Sequence, residues 1–144
     1  MCTRFEQMVT ISYDHWKQVP RTATAWPYKY FLPQELACPR TGELVVVHKF
    51  VRGLDLVRDL YGSSLHILSA NRSDYHNAMV GGAPMSRHRL TFADAADIST
   101  IDRDRHLIKR LAKEQGFTGF GHYHTFIHVD MGRPREWGKE KWDA

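Results

Sequence analysis

The sequence predicts an α+β domain, a small antiparallel sheet with flanking helices. Three observations carry this. Leu44–Tyr61 and Ile101–Gln115 each repeat apolar residues at helical spacing. The last third of the chain holds two short apolar runs, Gly119–Tyr123 and Phe126–Asp130, close enough to be hairpin-linked strands. Helices followed by such strands, without a regular βαβ alternation, point to α+β rather than a parallel sheet.

The chain has 144 residues, 42% hydrophobic and 25% charged, the composition of one globular domain. A chain of this size buries roughly two-thirds of its unfolded surface and needs no staples. Its net charge of +4 suits an anionic partner. Nucleic acid is not expected, because no recognition motif or one-sided basic helix is present. Two cysteines, Cys2 and Cys38, are too few for a disulfide framework and lack zinc-ribbon spacing, so they read as free thiols of a reducing compartment. The N-terminal residues lack the apolar run of a signal peptide, and no stretch approaches the roughly 20 apolar residues of a membrane span. The product is therefore expected to be cytoplasmic on synthesis.

Residues 1–30 mix aromatics, charges and prolines without periodicity and read as an arm packed on a domain of residues 31–144. In Leu44–Tyr61, Val47, Phe50, Val51, Leu54, Val57 and Tyr61 form one helical face, and Gly62 supplies the stop. Leu65–Ser69 alternates and reads as a strand. Ala70–Met85, rich in Asn, Gly, Ser and Pro, reads as a long loop of the kind that carries function. Ala93–Ile98 is a candidate strand. Ile101–Gln115 is predicted to start from a Ser99/Asp102 capping pair and to end at Gly116. The tail from Arg133 is charged and carries Trp137 and Trp142.

Nine histidines is a high count for this length, and most need no function. Two stretches differ. In Ser86–Ile98, His88 leaves a polar loop and a run of small residues ends in Asp97. Strand alternation puts Ala93, Ala95 and Asp97 on one face and Asp94 on the other. Small residues beside an inward carboxylate leave room for a metal and its ligands; the same residues also fit a loop histidine near solvated aspartates. In His122–Asp130, His124, Phe126, His128 and Asp130 share one face, while Ile127 and Val129 point into a core. Burying a His/Asp face costs several kcal/mol unless it is paired or bound to metal; a water-facing strand is the other reading.

These pieces resemble the M15 metallopeptidases, in particular the short phage and bacterial subgroup similar to zinc D-Ala-D-Ala carboxypeptidases and endolysin peptidases. Four segments match in order: Phe31–Cys38; Ser69-Ala70-Asn71-Arg72-Ser73 with Asn77 and Val80–Ala83; Ser86-Arg87-His88 through Asp97-Ile98; and Gly119–Gly121 with Phe126–Asp130 and Trp137. Together they span about residues 30–137. The resemblance implies a hedgehog/DD-peptidase-like fold and a zinc ion held by His88, Asp97 and His128. Such a set leaves a fourth position open for water, as catalytic sites do. It also implies Arg72 and Ser86 as substrate-binding residues and a monomer acting on peptidoglycan peptides. The chain is expected to be a phage or prophage product, released to the cell wall or carried in a virion. A damaged site on the same fold would instead make a wall-peptide-binding or assembly module. The chain departs from the pattern in three ways. His88 and Asp97 are two residues further apart than usual, which reads as an insertion near Leu90–Phe92, puts Ala93 where glycine is expected and leaves Asp94 as a rival ligand. Ala70-Asn71 replaces Gly-Tyr. Finally, Thr125 and Phe126 occupy the positions where a general base is common, so Asp130, first, or His124 is expected to serve.

Overall fold

A computed structural model describes residues 9–143. Cys2 and the first residues of the expected arm lie outside them. The arm's remainder contributes strand β1, Thr10–Tyr13, which pairs antiparallel with β2, Leu44–Val47. The chain then runs through a short helix α1 (Pro33–Leu36, before β2), helix α2 (His48–Tyr61), strand β3 (Ile67–Ser69), helix α3 (Asp74–Met79), strand β4 (Ala95–Ser99), helix α4 (Arg105–Glu114), and strands β5 (Gly119–His122), β6 (Phe126–Asp130) and β7 (Arg135–Trp137). The main sheet has the order β3-β4-β6-β5-β7. All its pairs are antiparallel except β5/β7.

The α+β class holds, with four corrections to the element boundaries. Leu44–Tyr61 is not one helix. Its first four residues form β2, where the β-branched run Val45-Val46-Val47 suits an extended chain. The β1 partner that makes this strand worthwhile lies more than thirty residues upstream and leaves no trace in local periodicity. The Ala70–Met85 loop contains α3, started by the Ser73 hydroxyl, which accepts from the His76 amide at 3.1 Å. Helix α4 starts from Asp104, which accepts from the Leu107 amide at 3.0 Å, rather than from a Ser99/Asp102 pair; Asp102 sits in a turn at φ +55°. Strand β4 starts at Ala95. Ala93 lies before it at φ +48°, the left-handed conformation that favours glycine, which gives a backbone reason for the glycine expected at this place.

The β4–β6 pair separates two environments. Ala96 and Ile98 sit opposite Val129 and Ile127. These face the core, with Phe50, Val51, Leu54 and Val57 of α2 and Ile108, Leu111 and Ala112 of α4. The alternate residues face the other way: Ala95 is opposite Asp130, and Asp97 is opposite His128. Gly53 lets α2 approach closely, because a Cβ there would meet the Phe117 ring at 2.9 Å. No helix of the described residues is long and apolar enough to cross a membrane.

Candidate metal centre

Two strands and one loop build the site. Asp97 and His128 are cross-strand neighbours on the non-core face, so their side chains meet directly. His88 arrives from the loop before β4. The Arg72 amide donates to the His88 carbonyl at 2.8 Å, and the Leu90 amide to the Arg72 carbonyl at 3.0 Å. The Ser86 hydroxyl accepts from the His88 amide at 3.2 Å. The Ser69–Ser73 segment is thus a backbone splint for the histidine. It is tied down in turn by buried Asn71, whose side-chain oxygen accepts from the Val45 amide at 2.8 Å.

Three atoms converge. His88 Nε2 lies 3.2 Å from Asp97 Oδ1 and 3.2 Å from His128 Nδ1, and His128 Nδ1 lies 3.0 Å from Asp97 Oδ1. A tetrahedral ion with bonds of about 2.0–2.2 Å holds neighbouring ligand atoms roughly 3.3 Å apart. The triangle is therefore about the size such an ion requires.

The far sides of the rings point the same way. His88 Nδ1 faces the Ala70 carbonyl at 2.8 Å, and a carbonyl only accepts, so the proton sits on Nδ1 and Nε2 keeps a lone pair. His128 Nε2 faces the Asp130 carboxylate at 2.7 Å, so neutral His128 offers its Nδ1 lone pair. Two imidazole lone pairs and a carboxylate oxygen then aim at one point with no donor between them. A cation satisfies all three. In its absence only a proton on His128 can, and proton and cation compete for the same nitrogen. The burial of His128 favours its neutral form, but the hydrogen bonds to Asp130 and Asp97 outweigh this and raise its pKa. Burial likewise pushes Asp97 up, yet hydrogen bonding from His128 and the positive charge that the adjacent His128 and His88 rings carry when protonated hold its carboxyl well below the usual range.

Asp130 has no solvent exposure and accepts from four donors. These are His128 Nε2 at 2.7 Å, Arg135 Nη1 and Nη2 at 2.8 and 2.7 Å, and the Gly132 amide at 2.9 Å. It therefore sits behind His128, on the side away from Asp97. Gly119 faces it across the strand pair, and a Cβ there would collide with the Asp130 carboxylate and the Arg135 guanidinium. Asp94 forms a bidentate pair with Arg87, at 2.9 and 2.6 Å, and stays out of the triangle. Among the described residues, the group whose ligand atoms lie close enough together to hold a metal is His88, Asp97 and His128.

The triangle opens into a cleft of about 700 Å³. Arg72 and Ser86 line it, as do Arg87, Arg133, Arg135, Tyr123, Phe126 and Trp137. Arg72 Nη2 lies 3.6 Å from Asp97 Oδ2, while its Nε donates to the Ser69 hydroxyl at 3.1 Å. His124 is exposed in the β5–β6 turn and does not line the cleft. Arg87, Arg133 and Arg135 escaped the sequence reading. Only the proximity of Arg135 to Asp130 hinted at a partner. His122, at the end of β5 and near His124 and His128 in sequence, is buried, and its Nδ1 donates to the Trp137 carbonyl at 2.7 Å.

An α+β domain that gathers two imidazole nitrogens and a carboxylate at the floor of an open cleft has the arrangement of a metal-dependent hydrolase. The chain belongs to the M15 peptidases: the family described as Peptidase M15 matches residues 29–130, which contain all three converging side chains. No curated protein matches the chain. Peptidases of this family are typically metal-dependent, and the donor set here fits that requirement.

Proposed function

We propose that the protein is a zinc peptidase that cleaves peptides of the bacterial cell wall, at bonds involving D-amino acids. The observation that carries the metal is the convergence of two imidazole nitrogens and a carboxylate oxygen, each able to act as a ligand, at the cleft floor. A zinc ion held by His88, Asp97 and His128 would supply a Lewis acid that polarises the scissile carbonyl and brings the pKa of a water towards neutrality. The family resemblance and the cationic cleft support the wall-peptide substrate. Arg72, held by Ser69 and Asn77, presents a planar fork to a substrate carboxylate or carbonyl. Ser86 holds the turn that delivers His88. Asp130 and Ala70 fix which imidazole nitrogen of each histidine points inward. Asp130's four donors favour this orienting role over proton transfer. His124 would need the β5–β6 turn to move before it could reach a bound peptide. The chain is expected to work as a monomer, with release from the cell or carriage in a virion bringing it to the wall.

A second reading, a peptide-binding module without turnover, is favoured by one observation. Among the described residues lining the cleft there is no carboxylate or imidazole besides the three ligands. One experiment separates the two. Metal content is measured on protein purified without added zinc, and peptide release from purified peptidoglycan and D-Ala-terminated peptides is followed with and without a chelator. About one zinc per chain and chelator-sensitive release are expected. A chain that stays metal-free after zinc titration refutes the metal site; a zinc-loaded chain that binds but releases nothing is the binding module.

A further inference from the structure

We propose that the cleft selects peptides carrying a second carboxylate, and that Arg133 is the residue that reads it. This rests on the reading of the site as a peptide-binding metal centre with Arg72 at a first carboxylate or carbonyl.

Four guanidinium groups line the cleft, and three already face a buried carboxylate: Arg72 at 3.6 Å from Asp97, Arg87 at 2.6 Å from Asp94 and Arg135 at 2.7 Å from Asp130. Arg133 is the exception. It is exposed, and its side chain has no ion pair or hydrogen bond among the described residues. Its backbone is nevertheless held. Arg135 Nη1 donates to the Arg133 carbonyl at 3.0 Å, and the preceding Gly132 donates its amide to Asp130 at 2.9 Å and accepts from the Thr118 hydroxyl. Pro134 restricts the chain on the other side. The same Arg135 that braces Asp130 therefore anchors the base of the free arginine beside the cleft.

An anchored backbone with an unpaired guanidinium is arranged to receive an anion rather than to complete the fold. A carboxylate can take two parallel hydrogen bonds from the fork, whereas a carboxamide cannot accept both and carries no charge. The cleft's charge adds to this. Asp97, the carboxylate nearest Arg72, is also a metal ligand, so a bound divalent cation leaves the cleft more positive still. A peptide with one carboxylate would satisfy Arg72 and leave Arg133 in water; a peptide with two would satisfy both.

The test uses zinc-loaded protein and calorimetric binding of D-Ala-terminated tetrapeptides. Each bears one side-chain carboxylate, placed at each position in turn and paired with its carboxamide. For at least one position the acid should bind roughly tenfold more tightly than the amide, the scale of a charged hydrogen bond with partial solvent screening. Arg133→Gln should abolish that preference while zinc content stays as it was, and Arg133→Lys should restore part of it. If the wild type does not discriminate at any position, or if Arg133→Gln still does, the assignment is wrong while the peptidase reading stands. If no peptide binds or is cleaved by the zinc-loaded wild type, both fail.

Discussion

The two faces of the β4–β6 pair are both buried and are held in opposite ways. On one face Ala96, Ile98, Ile127 and Val129 are at most 1% exposed and have only apolar neighbours to satisfy. On the other, Asp97, His128 and Asp130 are 9%, 8% and 0% exposed and carry lone pairs, protons and charge. The apolar face is stabilised by area, at about 25 cal/mol per Å², and any close-packed substitute of similar volume would serve. The polar face is tolerable only because its atoms have named partners, and a cation would give the converging atoms of His88, Asp97 and His128 a common one. A hydrophobic face can be replaced piecemeal, whereas a polar one stands or falls as a network.

The largest effect should come from removing a converging atom. Asp97→Ala is expected to abolish stoichiometric zinc binding, a loss greater than the 10–100-fold typical of an outer partner, read by metal analysis after dialysis against trace zinc. Its folded spectrum should survive, because the apolar face is untouched. A variant that keeps one zinc per chain would show that the triangle is not the site.

Next comes the opposite face. Ile127→Ala, on a side chain with no exposure, should lower unfolding free energy by about 2–5 kcal/mol in denaturant titration. The fraction that remains folded should still bind one zinc. Loss of zinc from that folded fraction would mean that the two faces are not independent.

Asp130→Asn probes the polar network one step out. It weakens the acceptor behind His128 and leaves Arg135 underpaired, so zinc affinity should fall about 10–100-fold in a chelator competition. If affinity is unchanged while turnover of the zinc-saturated protein drops by about 10²–10⁴, Asp130 is a general base and the orienting role assigned to it is wrong.

The smallest effect should be that of Asp94→Ala. It removes a pair whose arginine can turn to solvent, costing about 1 kcal/mol of stability with zinc fully retained. Zinc loss here would restore Asp94 as the ligand.

Much of this centre was legible before any coordinates. Period-two alternation put Asp97 on one face of its strand and His128 with Asp130 on one face of theirs, because side-chain direction in an extended chain is a local property. The helical faces of α2 and α4 were legible for the same reason, since 3.6-residue spacing is written into neighbouring residues. The boundary between β2 and α2 was not, because Leu44–Val47 becomes a strand only when Thr10–Tyr13 pairs with it. Nor were the partners that give the histidines their chemistry. The Ala70 carbonyl on His88, the Arg135 fork on Asp130 and the Arg87–Asp94 pair all join side chains to distant or differently facing atoms. The sequence by itself determined which residue types lie on which face of β4, β6, α2 and α4. Only the tertiary structure decided which of those faces meet, which nitrogen of each imidazole points inward and which arginine is left without a carboxylate, because hydrogen bonds and ion pairs depend on distances between segments that no local pattern encodes.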